Sequence, residues 1–268
     1  MQFNFSKNNL TNFSPVVLVA VQLCYGEKRA PRLYGGYQVY EISRYPHQVS
    51  VHNMPDESFC GGSIISKYYV LTAGHCIGSL NPDDYYVRSQ SVFRSFYGLE
   101  HELSKVVRHE NYKLFEDDVR AEHDLGLLKL KIPFEFNQNC QPIQLYNELD
   151  KINYRNDVAL TIGWGKTDYW TYPNHLRYLM LPMIEKRDCH NAYLKKYGGL
   201  PSGQICAGYL NDDGSKNVCH GDSGGPLIIN SKIAGVATWV GEPCGLPNNP
   251  AVFTQISEYR AWINKNTQ

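Results

Sequence analysis

The chain has 268 residues, which is enough for one large β domain or two small ones. Its 26 Lys and Arg residues balance its 26 Asp and Glu residues, so the formal net charge is zero and argues against nucleic acid or an anionic membrane as a partner. The 20 tyrosines, 22 glycines and 14 prolines favour short strands joined by tight turns over long helices.

The N-terminus has the features of a secretory signal peptide. Residues 16–23 form an apolar stretch that is too short to span a bilayer. Cys24 and Gly26 then provide small residues at the two critical positions before a cleavage site that follows Gly26. We therefore expect residues 1–26 to be a signal peptide and the protein to be secreted and extracellular.

The eight cysteines indicate disulfide bonds rather than a metal or redox site. No pair of them has the C-x-x-C spacing that is typical of zinc and redox centres. Disulfides form in oxidising compartments, which agrees with secretion.

Short runs rich in Val, Ile, Tyr and Thr recur along the chain and predict strands. They cover residues 47–51, 62–73, 157–164, 177–184, 226–230, 232–240 and 251–256. Asn230 and Ser231 separate two of these runs and predict a hairpin turn. Ile256, Tyr259 and Ile263 then follow at helical spacing, with Ser257 as the predicted N-cap. The pattern predicts a mostly antiparallel β protein that ends in a helix.

The stretch "KNVCHGDSGGP" (216–226) places Ser223 among glycines. A serine hydroxyl is a weak nucleophile near neutral pH and needs a base within hydrogen-bond reach. The carbonyl that it attacks becomes an oxyanion, which backbone N–H groups stabilise where glycines allow close approach. "LTAGHC" (71–76) supplies His75 after a strand-like run, and "HDLGLLKL" (123–130) supplies Asp124 before another. These residues are a candidate nucleophile, base and orienting carboxylate.

These segments resemble those of the chymotrypsin-like (trypsin-type) serine proteases. The resemblance extends over residues 32–268 and includes "LYGG" (33–36), "CGGSIIS" (60–66), "GWG" (163–165), "QICAG" (204–208) and "NPAVFTQI" (249–256), in the family's order. It implies an all-β fold of two six-stranded antiparallel β-barrels, with the active site between them and a C-terminal helix. It also implies a serine endopeptidase that hydrolyses protein or peptide substrates.

The resemblance implies a role for each of these residues. His75 would be the general base, Asp124 would orient its imidazole, and Ser223 would attack the scissile carbonyl to form an acyl-enzyme. The N–H groups of Gly221 and Ser223 would form the oxyanion hole, and Thr238 keeps a hydroxyl beside Asp124. Some relatives bind calcium after the histidine, but residues 89–103 contain few well-spaced acids here. We therefore expect no metal and no cofactor.

The resemblance further implies a zymogen. Cleavage after Arg32 by a trypsin-like enzyme would remove residues 27–32 as a propeptide and leave residues 33–268 as the serine protease domain. The new α-amine of Leu33 would pair with Asp222, next to the nucleophile. The family usually has Ile-Val where this chain has Leu33 and Tyr34, a change that keeps the amine but alters how the new N-terminus fills its site.

By family position, the resemblance implies that Cys60 pairs with Cys76, Cys189 with Cys206, and Cys219 with Cys244. Cys24 and Cys140 remain. Either Cys24 survives and tethers the propeptide to Cys140, or it leaves with the signal peptide and Cys140 is unpaired or intermolecular.

The residues that match the family's specificity pocket are Asn217, Thr238, Val240 and Ala251. Neither Asn217 nor Ala251 carries the buried carboxylate that a substrate Lys or Arg needs as a partner. Val240 narrows the pocket, as in elastase-like enzymes. We predict a preference for small to medium uncharged residues such as Ala, Val or Leu before the scissile bond, with aromatic residues second. His220 lies at the rim, where it either touches substrate or faces solvent.

Two other functions are alternatives. A binding protein on a protease scaffold is expected to have lost one of the three catalytic residues, whereas all three are present. An esterase or lipase of another fold has the chain order Ser, acid, His, whereas the order here is His, Asp, Ser. We expect a monomer whose partners are its substrates, its activating protease and protein protease inhibitors.

Overall fold

A computed structural model of the protein describes residues 36–116, 120–167, 171–210 and 216–268. The predicted signal peptide, the predicted propeptide, Cys24, Arg32 and Leu33 lie outside these residues. The described chain is mostly sheet, and its strands form two closed barrels.

The first barrel is closed by six antiparallel strands in the order β2-β3-β4-β9-β6-β5. They are β2 (Gln48–Asn53), β3 (Ser58–Ile64), β4 (Tyr69–Thr72), β5 (Tyr85–Ser89), β6 (Leu99–Arg108) and β9 (Gly126–Leu130). Apolar side chains such as Val49, Val87 and Leu128 fill this barrel. Because Thr72 pairs with Gly126, β4 ends and β9 begins at the same edge of the barrel.

The second barrel has the strand order β12-β11-β14-β15-β16-β13 and closes where β13 pairs with β12. Its strands are β11 (Val158–Gly163), β12 (Arg177–Ile184), β13 (Gln204–Ala207), β14 (Pro226–Ile229), β15 (Lys232–Trp239) and β16 (Ala251–Gln255). Two short strands extend this sheet: β1 (Tyr37–Gln38) pairs with β12, and β10 (Gln144–Leu145) pairs with β15. β7 (Lys113–Leu114) and β8 (Ala121–Glu122) form a separate two-stranded sheet.

Two α-helices complete the described fold, α1 (Lys186–Tyr197) and α2 (Ile256–Asn266), with short 3-10 helices at Ile42–Arg44, Gly74–Cys76 and Pro82–Asp84. The predicted fold of two six-stranded barrels and a C-terminal helix is confirmed. The predicted N-cap of that helix is wrong, because the helix begins at Ile256 and Gln255 is its N-cap. The hydroxyl of Ser257 instead accepts a hydrogen bond from Gln255 Nε2 at 2.9 Å.

The predicted strand over residues 62–73 is two strands. The chain turns between Ile64 and Tyr69, because the Ser66 hydroxyl accepts hydrogen bonds from the backbone N–H groups of Tyr68 and Tyr69 at 3.3 and 3.2 Å. The predicted hairpin between β14 and β15 is confirmed. Asn230 and Ser231 form its turn with φ values of 50° and 61°, the conformation that suits a two-residue hairpin.

One buried apolar cluster includes residues of both barrels. Leu71 and Leu127 come from the first barrel, and Val236 and Phe253 come from the second. Three disulfides join the pairs that the resemblance implied: Cys60–Cys76, Cys189–Cys206 and Cys219–Cys244. Cys140 is a buried free thiol whose pKa is raised by burial to about 11. No helix among the described residues is long and apolar enough to cross a membrane.

Candidate active site

His75 and Asp124 meet at one edge of the first barrel. His75 lies in the 3-10 helix Gly74–Cys76 that directly follows β4, and Asp124 lies just before β9. Since β4 and β9 pair at this edge, the strand register alone brings the two segments together. The Cys60–Cys76 disulfide then fixes the histidine turn to β3.

The carboxylate of Asp124 is fully buried and orients the imidazole of His75. It accepts hydrogen bonds from the backbone N–H and from Nδ1 of His75, each at 2.7 Å. Because a carboxylate only accepts, Nδ1 carries a proton and Nε2 is left as the basic nitrogen. Burial lowers the pKa of His75, but the negative charge and hydrogen bond of Asp124 outweigh it, so the pKa of His75 is raised.

Two threonines of the second barrel support Asp124. The Thr238 hydroxyl donates to the same carboxylate oxygen that binds His75 Nδ1, and the Thr254 hydroxyl donates to the backbone carbonyl of Asp124 at 3.0 Å. Burial raises the pKa of Asp124. The charge of His75 and the hydrogen bonds from His75 and Thr238 lower it by more, so the net pKa of Asp124 is below its ordinary value and the carboxylate remains ionised. Thr254 was not predicted, because only the folded barrel brings β16 beside residue 124.

Ser223 lies in the loop before β14, where two glycines have left-handed backbone angles. Gly221 has φ = 94° and Gly224 has φ = 76°. A Cβ at Gly224 would lie 2.2 Å from the Thr72 hydroxyl and 2.4 Å from the Gly61 carbonyl, so this position requires glycine. The N–H of Gly61 donates to the carbonyl of Ser223 at 2.7 Å and joins the loop to the first barrel.

The N–H groups of Gly221 and Ser223 donate no hydrogen bond to any described residue. The Ser223 hydroxyl likewise makes no hydrogen bond to His75 in the described part of the chain. The side chains of Ser223 and His75 nevertheless line the same cavity, which has a volume of about 470 Å³. Such contacts are often long in unliganded enzymes and shorten when substrate binds.

The cavity brings together some of the predicted specificity residues. Thr238 and Val240 line it, together with Val218, His220, Trp239 and Glu242. Asn217 and Ala251 are buried and do not belong to its described lining. Both polar atoms of the Asn217 side chain are engaged: Nδ2 donates to the Asn249 carbonyl at 2.6 Å, and Oδ1 accepts from the Val218 N–H at 2.9 Å.

His220 contacts Glu242 at the cavity. Nε2 of His220 is 2.7 Å from Oε1 of Glu242, and both side chains are partly exposed. This agrees with the predicted position of His220 at the rim and adds a partner that sequence analysis missed. The only sequence signal was an acid two residues after Val240, in "TWVGEPC".

Asp222, the residue before Ser223, is buried. Its carboxylate accepts hydrogen bonds from the N–H groups of Gly165 at 2.8 Å and Cys219 at 3.0 Å. Burial raises the pKa of Asp222 to about 7, although these bonds and the charge of Arg177 lower it. No described cation forms an ion pair with it. Arg177, in turn, donates to the carbonyl of Gly36 at 2.7 Å and holds the start of the described chain.

Among the described residues, two side-chain clusters combine one histidine with two cysteines, namely Cys60 with His75 and Cys76, and Cys219 with His220 and Cys244. The cysteines of each cluster are joined in a disulfide, so their sulfur atoms are not thiolates that could bind a metal.

Comparisons with known proteins agree with this geometry. The family model "Trypsin" matches residues 33–263. Trypsin 5G1 of Aedes aegypti is 33% identical over 87% of this chain and 84% of its own length. The vitellin-degrading protease of Bombyx mori is 32% identical over 88% of this chain and 85% of its own length.

Solved structures show the same fold. Mouse neuropsin, a serine protease expressed in the limbic system of the brain, has a TM-score of 0.74 and 28% identity, over 87% of this chain and 99% of its own. An inactivated protease paralogue of the scabies mite has a TM-score of 0.76 at 23% identity, over 87% of this chain and 96% of its own, a likeness of fold alone. The family match, the relatives and the two-barrel fold together show that this chain belongs to the trypsin family and is a serine endopeptidase.

Proposed function

We propose that this endopeptidase hydrolyses peptide bonds with Ser223, His75 and Asp124 as its catalytic triad. Nε2 of His75 accepts the proton of Ser223 as Oγ attacks the scissile carbonyl, and then passes a proton to the leaving amine. Water hydrolyses the acyl-enzyme, with His75 again as the base. The observation that carries the proposal is the buried Asp124 carboxylate, which accepts hydrogen bonds from Nδ1 and from the backbone N–H of His75, each at 2.7 Å, at a cavity that Ser223 shares.

The N–H groups of Gly221 and Ser223 stabilise the oxyanion in this proposal. Its support is that neither group is engaged by another described residue, so both are available to a substrate carbonyl. Gly221 has a left-handed backbone conformation, which a residue with a side chain rarely adopts, and this conformation sets the direction of its N–H group.

The side chain before the scissile bond is small to medium and uncharged, with aromatic residues second. Val240 at the cavity wall supports this, because it adds an isopropyl group at the place where a long side chain would enter. Asn217 is uncharged and its amide is already bonded to Asn249. The acid in the described cavity lining, Glu242, is paired with His220. Cleavage after Lys or Arg would leave the substrate cation without a buried partner.

The protein is made as a secreted zymogen that is activated by cleavage after Arg32. The new amine of Leu33 pairs with Asp222 and orders the oxyanion hole. Support comes from the buried carboxylate of Asp222, which lacks a described cation, and from Arg177, which anchors Gly36 only three residues beyond Leu33. A positive charge beside Asp222 would reverse the effect of burial on its pKa.

A peptide library tests these assignments. The precursor is cleaved with a trypsin-like protease, Leu33 is verified as the new N-terminus by mass spectrometry, and peptides that vary at the residue before the scissile bond are assayed. We expect cleavage after Ala, Val and Leu, and a loss of about 10⁶-fold in kcat for Ser223→Ala. Strong cleavage after Lys or Arg would overturn the specificity, and activity that survives Ser223→Ala would overturn the mechanism.

A further inference from the structure

An aromatic and cationic cluster borders the nucleophile loop outside the cavity. Phe59 in β3 packs edge-on against Tyr172, with the ring centres 5.2 Å apart. Both rings lie against Gly221, since a Cβ there would be 2.8 Å from Phe59 Cζ and 3.1 Å from Tyr172 Cε1. Neither ring belongs to the described lining of the cavity. The third member is Arg94, and we call the three residues the Arg94 cluster.

The proposed function places the Arg94 cluster on the leaving-group side of the scissile bond. In the proposed function, the side chain before this bond enters the cavity and the carbonyl that follows it lies at Gly221. The next substrate residues therefore leave the cavity past Gly221, toward Phe59. Phe59 precedes Cys60, and the Cys60–Cys76 disulfide holds this part of β3 close to His75. In the proposed function His75 protonates the leaving amine, so Phe59 lies on the leaving-group side.

Arg94 carries the positive charge of the cluster. Its guanidinium carbon is 4.0 Å from the centre of the Phe59 ring and 5.7 Å from that of Tyr172. Its Nε is buried without a hydrogen-bond partner, and no carboxylate of the described residues lies within ion-pair distance of it. Arg88 of the same barrel, by contrast, is paired with Glu100.

The backbone and the surrounding charges prepare Arg94 for an anion. The backbone N–H of Arg94 donates to the Asn174 carbonyl at 3.0 Å, which fixes the backbone at Arg94. Burial, together with the charges of Arg88 and Arg94, lowers the pKa of His52 to about 4. The surroundings of Arg94 thus disfavour a further cation and favour an anion.

We propose that Arg94 binds the side-chain carboxylate of a Glu or Asp residue that follows the scissile bond by one or two positions. The inference rests on the proposed proteolytic function and adds a substrate class, polypeptides with an acidic residue on the leaving-group side. A guanidinium that stacks on an aromatic face keeps its N–H edge free, and that edge matches a carboxylate in bidentate geometry.

Matched peptides test the proposal. Two C-terminally amidated peptides share all residues except the first two after the scissile bond, which are Glu in one and Gln in the other. Amidation removes the chain-terminal carboxylate as a competing source of binding. We expect activated enzyme to cleave the Glu peptide with about fivefold higher kcat/KM than the Gln peptide. The ratio should fall to about one in Arg94→Gln and be largely restored in Arg94→Lys, whereas Lys129→Gln should keep the wild-type ratio.

A binding measurement separates this inference from the proposed function. Ser223→Ala protein, activated in the same way, is titrated with both uncleaved peptides, and the dissociation constants are compared with those of the Ser223→Ala/Arg94→Gln double variant. Tighter binding of the Glu peptide that depends on Arg94 supports the inference even if no peptide is hydrolysed. Equal affinity for both peptides, or a preference that persists without Arg94, overturns it, while Gln-peptide hydrolysis that requires Ser223 still supports the protease.

Discussion

Asp124 binds His75 twice, through its backbone N–H and through Nδ1, each at 2.7 Å. One carboxylate therefore sets both the position of the turn and the tautomer of the ring. We predict that Asp124→Asn lowers kcat by about 10⁴-fold, because the amide can donate to Nδ1 and place the proton on Nε2 instead. Steady-state kinetics on a good peptide measures this, with Asp83→Asn as an exposed control. Retention of more than a tenth of the activity would contradict the role of Asp124.

The pH profile reports the same pair. The pKa of His75 is raised above its ordinary value of 6.5, and only the neutral imidazole can accept the Ser223 proton. Activity should therefore fall as the pH decreases through the raised pKa, with the acid limb of kcat/KM centred above pH 6.5. An acid limb below pH 6 in the unmodified enzyme would refute the assignment of His75 as the base.

Thr238→Val removes one hydrogen bond that keeps Asp124 ionised, and we expect it to lower kcat about tenfold.

Asn217 is the position at which the specificity should respond most to a charge. We predict that Asn217→Asp increases cleavage after Lys or Arg at least tenfold relative to cleavage after Leu, because it supplies the missing carboxylate. The same change removes the Nδ2 donor to Asn249, so it should also destabilise the fold by about 1–3 kcal/mol. Peptide assays and thermal unfolding measure both effects, with Asn191→Asp on the exposed face of α1 as a control. An unchanged Lys-to-Leu ratio would show that Asn217 is remote from the substrate.

Asp222 predicts a difference in stability between the precursor and the cleaved protein. Its folded pKa of about 7 exceeds the ordinary value of 3.8, so the unfolded chain binds fewer protons between these values. The free energy of unfolding of the precursor should therefore decrease as the pH rises from about 4 to 7, by up to about 4 kcal/mol. Cleavage at Arg32 supplies an amine and should remove most of this decrease.

Urea unfolding at several pH values tests the Asp222 prediction. Arg32→Gln keeps the precursor intact, and Asp222→Asn removes the titrating group. A precursor whose stability is independent of pH between 4 and 7, or equal in Asp222→Asn, would contradict the prediction.

Five of the six strands of the second barrel and the hairpin at Asn230 were predictable because their signals are local: β-branched runs and a two-residue turn. The strands β5, β6 and β13 were not predicted. Helix α1 was not predicted, since its buried positions are only Cys189, Tyr193 and Tyr197 on an otherwise polar segment. Tertiary contacts define it instead. The Cys189–Cys206 disulfide fixes the helix, and the ring of Tyr193 lies 4.6 Å from that of Trp239 in β15.

At the site, the resemblance predicted the residues that the strand edges bring together. The contact between His220 and Glu242 was not predictable, because it joins two loops whose approach depends on the Cys219–Cys244 disulfide and the folded second barrel. The charge of Arg94 was missed for a related reason. Its significance comes from the absence of a carboxylate within ion-pair distance among the residues that the structure describes, and their positions follow only from the fold.

The hydrogen bond from Gly61 to the Ser223 carbonyl joins the first barrel to the Ser223 loop of the second. His75 and Asp124 come from one barrel, while Ser223 and Thr238 come from the other, so the proposed triad is divided between two successive halves of the chain. Neither half contains a complete set of reacting groups. If the proposed triad is correct, catalysis requires both barrels, and two co-expressed fragments split between β10 and β11 should become active only when they reassemble.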